Sequence, residues 1–448
     1  MDKKRRLTDG NILSSLLLFA LPVLLSLFLQ ALYGGVDLLI VGRFAGTADV
    51  SGVATGSMLL QTVTMTLSGL AMGVTILVGE HIGAGHGEQA SRAIGGGILL
   101  FAALSALLTA LIVPGAGLLV RLMHAPQEAF AETRAYVAIC GTGILFIIAY
   151  NVLGAIFRGL GDSKTPLLTV AIACGINIVG DLLLVAVFHL GAAGAALATV
   201  LAQAVSVGAS LLIIRRQTLP FSFKRQHLLT GVRMIRKELR LGIPIALQEL
   251  LVGASFLIIQ SVVNTFGVVA SAGVGVAERV CVFIMLLPSA FSQAMSAFVA
   301  QNMGAGKPDR ARRALFCGIA MALSAGIVIG IATFLRGDLL AALFSGDAQV
   351  ISAAHDYLRA YAIDCVLTPF LFCFIGYYTG CERTLFVMAQ GIIGAFLVRV
   401  PVVLLMSRLP DTTLFLIGLG TPASSSVQIA LCAGLYIYLA RKDKRVGA

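Results

Sequence analysis

Two carboxylates and an amide interrupt segments of the sequence that are otherwise apolar. Asp37 lies within LQALYGGVDLLIVG, and Asn177 and Asp181 lie within CGINIVGDLLLV. A charged side chain at the centre of a bilayer-length helix costs at least ~2.5–3.5 kcal/mol on insertion scales, so each of these charges requires an explanation. Because Asn177 and Asp181 are four residues apart, a helix directs both side chains from one face.

These residue types can bind a small cation. A carboxylate and an amide that face a second carboxylate form an oxygen-rich cluster in a low-dielectric environment. Two neighbouring buried carboxyl groups can share a proton at neutral pH, because burial and mutual repulsion both disfavour the doubly ionised pair. The same hard oxygen atoms can hold Na⁺, so the residues leave H⁺ and Na⁺ as alternatives. The structural alternative is that Asp37 pairs with an arginine or accepts hydrogen bonds that only support the fold.

The surrounding chain has the composition of a helical membrane protein. Of its 448 residues, 58% are hydrophobic and only 12% are charged, and the mean hydropathy is +0.96. A soluble chain of this length requires more charge to cover its surface. Apolar runs of about 20 residues, long enough to cross a bilayer, recur along the chain. We predict an all-α integral membrane protein with twelve transmembrane helices, whose approximate limits are 12–42, 50–79, 92–120, 133–157, 165–188, 191–214, 241–266, 271–300, 312–335, 353–379, 384–407 and 415–440.

The distribution of basic residues predicts the orientation of these helices. Most of the 32 Lys and Arg residues fall in the N-terminal tail, in alternate predicted loops and in the C-terminal tail. Positive charge is retained in the cytoplasm, so we expect a multi-pass protein of the cell (inner) membrane with both termini in the cytoplasm. The net charge of +11 then reflects topology in the lipid bilayer and not a nucleic-acid partner. The basic stretch 215–240 is predicted to be an amphipathic linker on the anionic inner leaflet.

The chain repeats itself with a period of about 221 residues. FALPVLLSL around Pro22 aligns with LGIPIALQE around Pro244, and EHIGAGHGEQASRAI aligns with QNMGAGKPDRARRAL. We therefore predict an N-lobe of six helices at 1–214, a linker at 215–240 and a C-lobe of six helices at 241–448. Because six is even, both lobes insert in the same orientation. We expect a pseudo-two-fold axis along the membrane normal, as in alternating-access transporters.

Several segments resemble the multidrug and toxic compound extrusion (MATE) family. They are the equivalent loops IGAGHGEQASRA and NMGAGKPDRARRA, RGLGDSKTP after the fourth helix, GAAGAALATVLAQ at the start of the sixth, and LPSAFSQAMSAFVAQNMGAG in the eighth. Their order and their placement in both halves carry the resemblance, which covers essentially the whole chain. The C-terminal half lacks extra acidic residues at the expected places, which is more similar to the DinF-like bacterial branch than to the NorM-like one.

The resemblance implies a cation site in the N-lobe. In similar MATE proteins an aspartate of the first helix and an Asn and Asp of the fifth line this site, and Asp37, Asn177 and Asp181 stand at those places. A tyrosine of the fourth helix and a threonine of the sixth join them, which Tyr136 and Thr199 match. If the ion is Na⁺, we expect Asp37, Asn177, Asp181 and Thr199 to be its ligands.

The sequence around Asp37 favours a functional role for this residue. The aligned segment of the second half, FLIIQSV, has no acid, so that half folds without one. Pro22 precedes Asp37 in the same predicted helix, where it removes a backbone hydrogen bond and permits a kink. The resemblance implies a first helix whose bending follows the protonation of Asp37, and a passive proline kink is an equal alternative.

Four further charged residues lie in predicted helices of the C-terminal half: Glu249, Glu278, Asp364 and Arg399. We expect Arg399 to pair with Glu278 or Asp364 across the helices, which would be a structural role. Glu249 follows Pro244 more closely than we expect for a coupling acid of the NorM-like kind, so we transfer no role to it.

Together, the residues and the resemblance predict a secondary active antiporter that exports amphipathic, mainly cationic organic compounds in exchange for H⁺ or Na⁺ by alternating access. We expect a monomer that needs no cofactor. We also expect no enzyme activity, because the chain has no HExxH, GxSxG or phosphate-loop motif. A major-facilitator drug transporter would show a GxxxDRxGRR-like loop where this chain has GEHIGAGHGEQASRA. A lipid-linked oligosaccharide flippase of the same superfamily is the other alternative, for which extra helices or a strongly cationic cavity would be expected.

Overall fold

The structure is a computed structural model that describes residues 7–216, 226–227 and 232–446, and every regular element within that part of the chain is helical. A 3₁₀ turn at Gln127–Ala129 precedes α4, and π-helical turns at Leu182–Val187 and Ile393–Arg399 follow α6 and α12. The α-helices are α1 Ile12–Phe44, α2 Thr47–Gly83, α3 Gly87–Leu122, α4 Phe130–Thr142, α5 Ile144–Gly159, α6 Lys164–Asp181, α7 Gly191–Arg216, α8 Val232–Asn264, α9 Val268–Gly304, α10 Pro308–Ala342, α11 Ala348–Gly380, α12 Thr384–Ile392, α13 Val400–Met406, α14 Leu414–Gly418 and α15 Gly420–Val446.

The helices confirm the predicted all-α membrane architecture. Eleven helical stretches are long and apolar enough to cross a membrane, and Gln127–Thr142 with Ile144–Gly159 makes a twelfth when this bent pair is counted as one span. The pair is bent by 55° at the break between its two helices. Every predicted span lies on one of these stretches, so the protein is a multi-pass membrane protein.

Helix α8 begins earlier than the sequence analysis predicted. The predicted span starts at residue 241, whereas the helix starts at Val232 and includes the charged stretch RMIRKELR. Arg, Lys, Glu, Leu and Met are strong helix formers, so the helix continues beyond the apolar segment. The remainder of the predicted amphipathic linker, at 217–225 and 228–231, lies outside the described residues.

Pro22 lies inside α1 without interrupting it. Proline has no backbone N–H and fixes φ, so it weakens the local hydrogen-bond ladder. The hydroxyl of Ser26 donates a hydrogen bond to the carbonyl oxygen of Pro22 at 2.8 Å. The span is therefore continuous through the proline, and the bending of α1 stays a prediction.

The chain divides into two compact units, each with its own apolar core. Of the described residues, the first unit contains Leu7, Thr8, those within Leu18–Ala246, and Ala300–Gly306. The second contains Asp9–Leu17, Leu247–Val299 and Lys307–Ala448. Helices α1, α8 and α9 therefore contribute residues to both units.

The two cores hold the helices that carry the polar residues. In the first unit, Val41 of α1 is buried together with Cys140 of α4 and Ala195 of α7. In the second unit, Ile259 of α8 is buried together with Leu358 of α11. Close-packed interiors resist changes of volume, so these contacts hold the helices at fixed separations.

Gly83 and Gly304 allow α2 to pack tightly against the last turn of α9. A Cβ on Gly83 would collide with the backbone of Gln301, and a Cβ on Gly304 would collide with the backbone of Glu80. Both residue pairs, Glu80 with Gln301 and Gly83 with Gly304, are separated by the repeat period of about 221 residues. Equivalent residues of the two repeats therefore face each other at this crossing. The close backbone contact explains why the first residue of each GAG motif is glycine.

We expect Gly83→Ala to lower the stability of the protein. The added methyl group must displace backbone, and overpacking of this kind costs roughly 1–3 kcal/mol. The apparent melting temperature of the purified full-length protein in detergent measures the effect. The control is Gly175→Ala on α6, where a Cβ meets nothing within 4 Å, so the melting temperature should stay equal or rise slightly. Equal melting temperatures of Gly83→Ala and the wild type would contradict the close backbone contact at this crossing.

Candidate functional site

Four helices of the first unit bring the predicted site residues together. Asp37 lies on α1, Tyr136 on α4, Asn177 and Asp181 on α6, and Thr199 on α7. Asp37, Tyr136, Asn177 and Asp181 are buried, with exposed fractions of 6% for Asp37 and 0% for Asp181. Thr199 is half-buried. Polar side chains that are distant in sequence thus converge inside an apolar bundle.

Asp37 is the centre of the cluster. Thr199 Oγ1 donates a hydrogen bond to Asp37 Oδ2 at 3.3 Å. Asn177 and Asp181 lie beside Asp37, and Tyr136 lies beside Thr199. All five residues predicted from the sequence therefore belong to one cluster in the structure.

Several polar atoms of this cluster have no partner within the described part of the chain. They are Oδ1 of Asp37, both carboxylate oxygens of Asp181, and Oδ1 and Nδ2 of Asn177. Buried polar groups are normally hydrogen-bonded, and buried charges are normally paired. The two carboxylates are thus poised to accept a proton or a cation, which would relieve both the missing hydrogen bonds and the mutual repulsion.

Close packing of α6 against α7 positions Asp181 and Thr199. A Cβ on Gly180 would lie 3.0 Å from the Ala198 side chain, so the glycine allows the two helices to approach next to the site. The π-helical turn Leu182–Val187 begins immediately after Asp181. Such turns are rare in proteins, and those that do occur are often found at functional sites.

Asp49 fixes the start of α7 through its carboxylate. Its Oδ1 accepts a hydrogen bond from the backbone N–H of Ala192 at 2.8 Å, and its Oδ2 accepts one from Gly46 at 3.2 Å. Gly191 has φ +53°, where a side chain would be strained, and a Cβ there would also collide with Asp49. This arrangement sets the position of α7, and therefore of Thr199.

Sequence reasoning missed two residues of the cluster, Tyr33 and Gln203. Gln203 Nε2 donates to Tyr33 Oη at 3.4 Å, and Tyr33 also lies beside Asp37. Helical spacing could have identified both, because Tyr33 is four residues before Asp37 and Gln203 is four residues after Thr199. They extend the polar cluster by one turn along α1 and α7.

The expected ion pair of Arg399 with Glu278 or Asp364 is wrong for the described residues, since neither carboxylate forms a salt bridge with it. Arg399 Nη1 instead donates to Ser255 Oγ at 3.1 Å. Its guanidinium carbon lies 4.4 Å from the ring centre of Phe256. A hydroxyl and an aromatic face can hold a planar guanidinium, and matching opposite charges in the sequence overlooks such partners.

The side chains of the cluster fit a proton or a monovalent hard cation. Two carboxylates, one amide and one hydroxyl supply oxygen ligands of the kind that hard cations prefer. Across the described residues, no group of three or more His, Cys, Asp or Glu side chains could hold a metal ion. The candidate site therefore depends on only two acids and on the neutral oxygens beside them.

Comparison with protein-family models identifies the family. A model described as MatE matches residues 22–183 and again residues 244–405. The chain belongs to the MatE family. The two matches begin at Pro22 and Pro244, around which the sequence repeat was recognised. Membership confirms the resemblance to the MATE family, and the major-facilitator alternative is wrong.

Curated relatives and solved structures agree with this assignment over the full chain. Probable multidrug resistance protein YpnP of Bacillus subtilis is 28% identical over 435 residues, which cover 96% of each chain. Multidrug export protein MepA of Staphylococcus haemolyticus is 24% identical and covers 96% of this chain and 94% of its own. An outward-facing MATE family transporter of the MOP superfamily has a TM-score of 0.92 at 20% identity and 99% coverage of both chains. At that identity the structural match shows the fold.

We expect Asp181→Asn to raise thermal stability at alkaline pH. Two ionised carboxylates without a partner cation destabilise the folded protein, and an amide of similar shape removes one charge. The wild type should lose stability as the pH rises and the shared proton leaves, whereas the variant should lose less. Melting temperatures measured between pH 5 and 9 in a medium without Na⁺ test this.

The control for that measurement is Asp411→Asn, because Asp411 is exposed in the loop before α14. Its pH profile should follow that of the wild type. If the melting temperature of Asp181→Asn changes with pH in the same way as that of the wild type, the stability of the folded protein does not depend on a proton held by the carboxylate pair.

Proposed function

We propose that the protein is a secondary active antiporter that exports amphipathic, mainly cationic organic compounds in exchange for H⁺ or Na⁺. The observation that carries this proposal is the buried pair of Asp37 and Asp181, whose oxygens lack partners among the described residues. Such a pair within apolar helices is costly unless a proton or cation neutralises it. Uptake and release of that ion can therefore change the relative stability of two conformations.

Neutral groups beside the acids suit a site that changes occupancy. The Thr199 hydroxyl donates to Asp37 when that carboxylate is ionised, and its oxygen can face a cation. The Asn177 amide has both a donor and an acceptor without partners, so it can stabilise an ionised carboxylate or ligate Na⁺. A proton bound to one acid can be shared with the other. For Na⁺, Asp37, Asn177, Asp181 and Thr199 would be the ligands.

Exchange follows if the ion and the exported compound favour opposite states of the transporter. Ionised Asp37 and Asp181 attract a cationic compound, and neutralisation of the pair by an entering ion removes that attraction. By linkage, each ligand then weakens the binding of the other by the same factor. In this mechanism Pro22 gives α1 a place to bend when Asp37 changes its charge, and Tyr136 keeps Thr199 next to Asp37.

The relatives support the proposed class of substrate. Curated proteins that match nearly the whole chain are named multidrug resistance or multidrug export proteins. The buried acids found here are suited to the cationic members of such a substrate set. No cofactor is required by this chemistry, because the ion gradient supplies the free energy.

We further propose the topology that the basic residues predict. The N-lobe at 1–214 and the C-lobe at 241–448 would be joined by a cytoplasmic linker at 215–240, with both termini in the cytoplasm of a cell whose inner membrane holds the protein. The protein would act as a monomer, with one ion site in the N-lobe.

We expect Asp37→Asn to abolish ion-driven export. The amide cannot take up the coupling proton and binds Na⁺ more weakly than a carboxylate, so the ion no longer drives the cycle. The assay is export of a fluorescent organic cation by proteoliposomes under a pH gradient alone or a Na⁺ gradient alone. We expect one of the two gradients to drive export by the wild type. Under that gradient, we expect the variant to export at about one tenth of the wild-type rate or less.

Asp411→Asn again serves as the control, since its exposed side chain lies away from the cluster. It should export at the wild-type rate under the effective gradient. Wild-type export in Asp37→Asn would show that the coupling ion does not act at this site. If neither the pH gradient nor the Na⁺ gradient drives export by the wild type, the proposal of antiport is wrong.

A further inference from the structure

A buried carboxyl group that the proposed ion site does not include lies near the start of α8. Glu238 is only 1% exposed, and neither of its side-chain oxygens has a hydrogen-bond partner within the described part of the chain. It forms no salt bridge with any of these residues. An ionised carboxylate is costly to bury without a partner, and a group in such a place normally becomes neutral instead.

Glycines of α2 and α3 form the surface against which Glu238 packs. A Cβ on Gly96 of α3 would lie 2.9 Å from Oε1 of Glu238 and 3.4 Å from both Oε2 and Cδ. A Cβ on Gly73 of α2 would lie 2.6 Å from the backbone oxygen of Glu238 and 3.1 Å from the backbone nitrogen of Gly242. The carboxyl group therefore lies directly against α3, and α2 lies against the backbone of the same turn of α8.

The ligand that this environment fits is a proton. A hard metal cation requires several oxygen ligands, whereas the group that faces the Glu238 carboxyl from Gly96 is a Cα methylene. Carbonyl oxygens in the interior of α2 and α3 already accept hydrogen bonds within their own helices. A proton requires no further ligand, and it removes the charge that makes burial costly.

Other ionisable groups of the three helices do not neutralise Glu238. On α3, Arg92 lies one turn before the contact, and its guanidinium is paired with Glu88 at 2.7 Å. On α2, His81 is buried and interacts electrostatically with Lys237 of α8. The side chain of Lys237 is exposed, unlike that of its neighbour Glu238. The buried carboxyl group thus has no counter-charge among the described residues.

The other half of the sequence has an apolar residue at the equivalent place. Alignment of the two halves around their prolines pairs Glu238 with Leu16, which is 0% exposed. A Cβ on Gly318 of α10 would lie 3.3 Å from Cδ2 of Leu16. The repeat pairs Gly318 with Gly97, the neighbour of Gly96. Equivalent surfaces therefore accept a leucine in one half and a glutamate in the other, so the fold does not require the acid.

We propose that Glu238 is a proton-binding site of the first unit, separate from the Asp37–Asp181 pair, and that its bound proton maintains the contact between α8 and α3. The neutral acid packs where the other half has leucine. When the proton leaves, the carboxylate requires water or a cation, and the contact must loosen to admit either. The packed state holds the proton more tightly than the solvated chain does, so its stability falls as the pH rises.

The direct test is the infrared C=O stretching band of a protonated carboxylic acid, which an ionised carboxylate lacks. Spectra of the full-length wild type and of Glu238→Gln are recorded in detergent near neutral pH. We expect a carboxylic acid band in the wild type that the variant lacks. The comparison is then repeated with Asp37→Asn and Asp181→Asn in both proteins, where the difference should persist.

Two infrared results would overturn the proposal. If no band depends on Glu238, the side chain is ionised in the folded protein. If the band depends on Glu238 only while Asp37 and Asp181 are present, the proton belongs to the pair and the site is not separate.

Melting temperatures between pH 5 and 9 test whether the proton maintains the packing. The parent protein carries Asp37→Asn and Asp181→Asn, and Glu238→Gln or Glu238→Leu is added to it. We expect the parent to lose about 2 °C or more over this range relative to either variant. Glu238→Leu places in the first unit the residue of the other half, so it should melt at least as high as the parent at pH 9.

The control variant is Glu128→Gln, which changes an exposed acid and should follow the pH profile of the parent. His81 is present in every protein, so its own titration is common to all profiles. Equal profiles of Glu238→Gln and the parent would contradict the role of the proton. A melting temperature that rises with Na⁺ in the parent but not in Glu238→Gln would mean that the ligand is a metal cation. Neither readout involves transport, so each can fail or succeed independently of the antiport proposal.

Discussion

The structure of the first unit depends on the burial of two carboxylates that form no ion pair with an arginine or lysine among the described residues. Asp37 and Asp181 lie inside apolar helices, and their oxygens are incompletely hydrogen-bonded within the described residues. Electrostatic interactions are strong at low dielectric, so the pair disfavours double ionisation and favours a bound proton or cation. Thr199, Asn177 and the packing of α6 against α7 all act on this one constraint.

The rest of the unit holds the carboxylates where water cannot solvate them. Asp49 and Gly191 fix the start of α7, and Gly180 allows α6 to approach it. The glycines of the α2–α9 crossing are repeated in both halves of the sequence, which shows that the same backbone contact serves both repeats. The repeats differ in their charges, however, because Ile258 and Val402 stand one repeat period after Asp37 and Asp181.

Much of the fold and part of the site follow from the sequence. Apolar runs are long enough to define the helices. Asp37 and Asp181 are conspicuous because charge is rare in such runs, and Asn177 is identified by its place one helical turn before Asp181. Tyr33 and Gln203 are less conspicuous, since a single tyrosine or glutamine is common in a membrane helix. The surroundings of Arg399 could not be predicted, because a hydroxyl and an aromatic ring hold it and neither is distinctive in sequence. The early start of α8 was missed because hydropathy marks the bilayer and not the end of a helix.

In the proposed mechanism, substrate and ion compete for the Asp37–Asp181 pair. The most direct measurement titrates the purified protein with a fluorescent organic cation in a weakly buffered solution and records the release of H⁺ or Na⁺. We expect the wild type to release about one ion for each molecule bound, and we expect Asp37→Asn to release none. Binding of the compound to the wild type without release of either ion would contradict it.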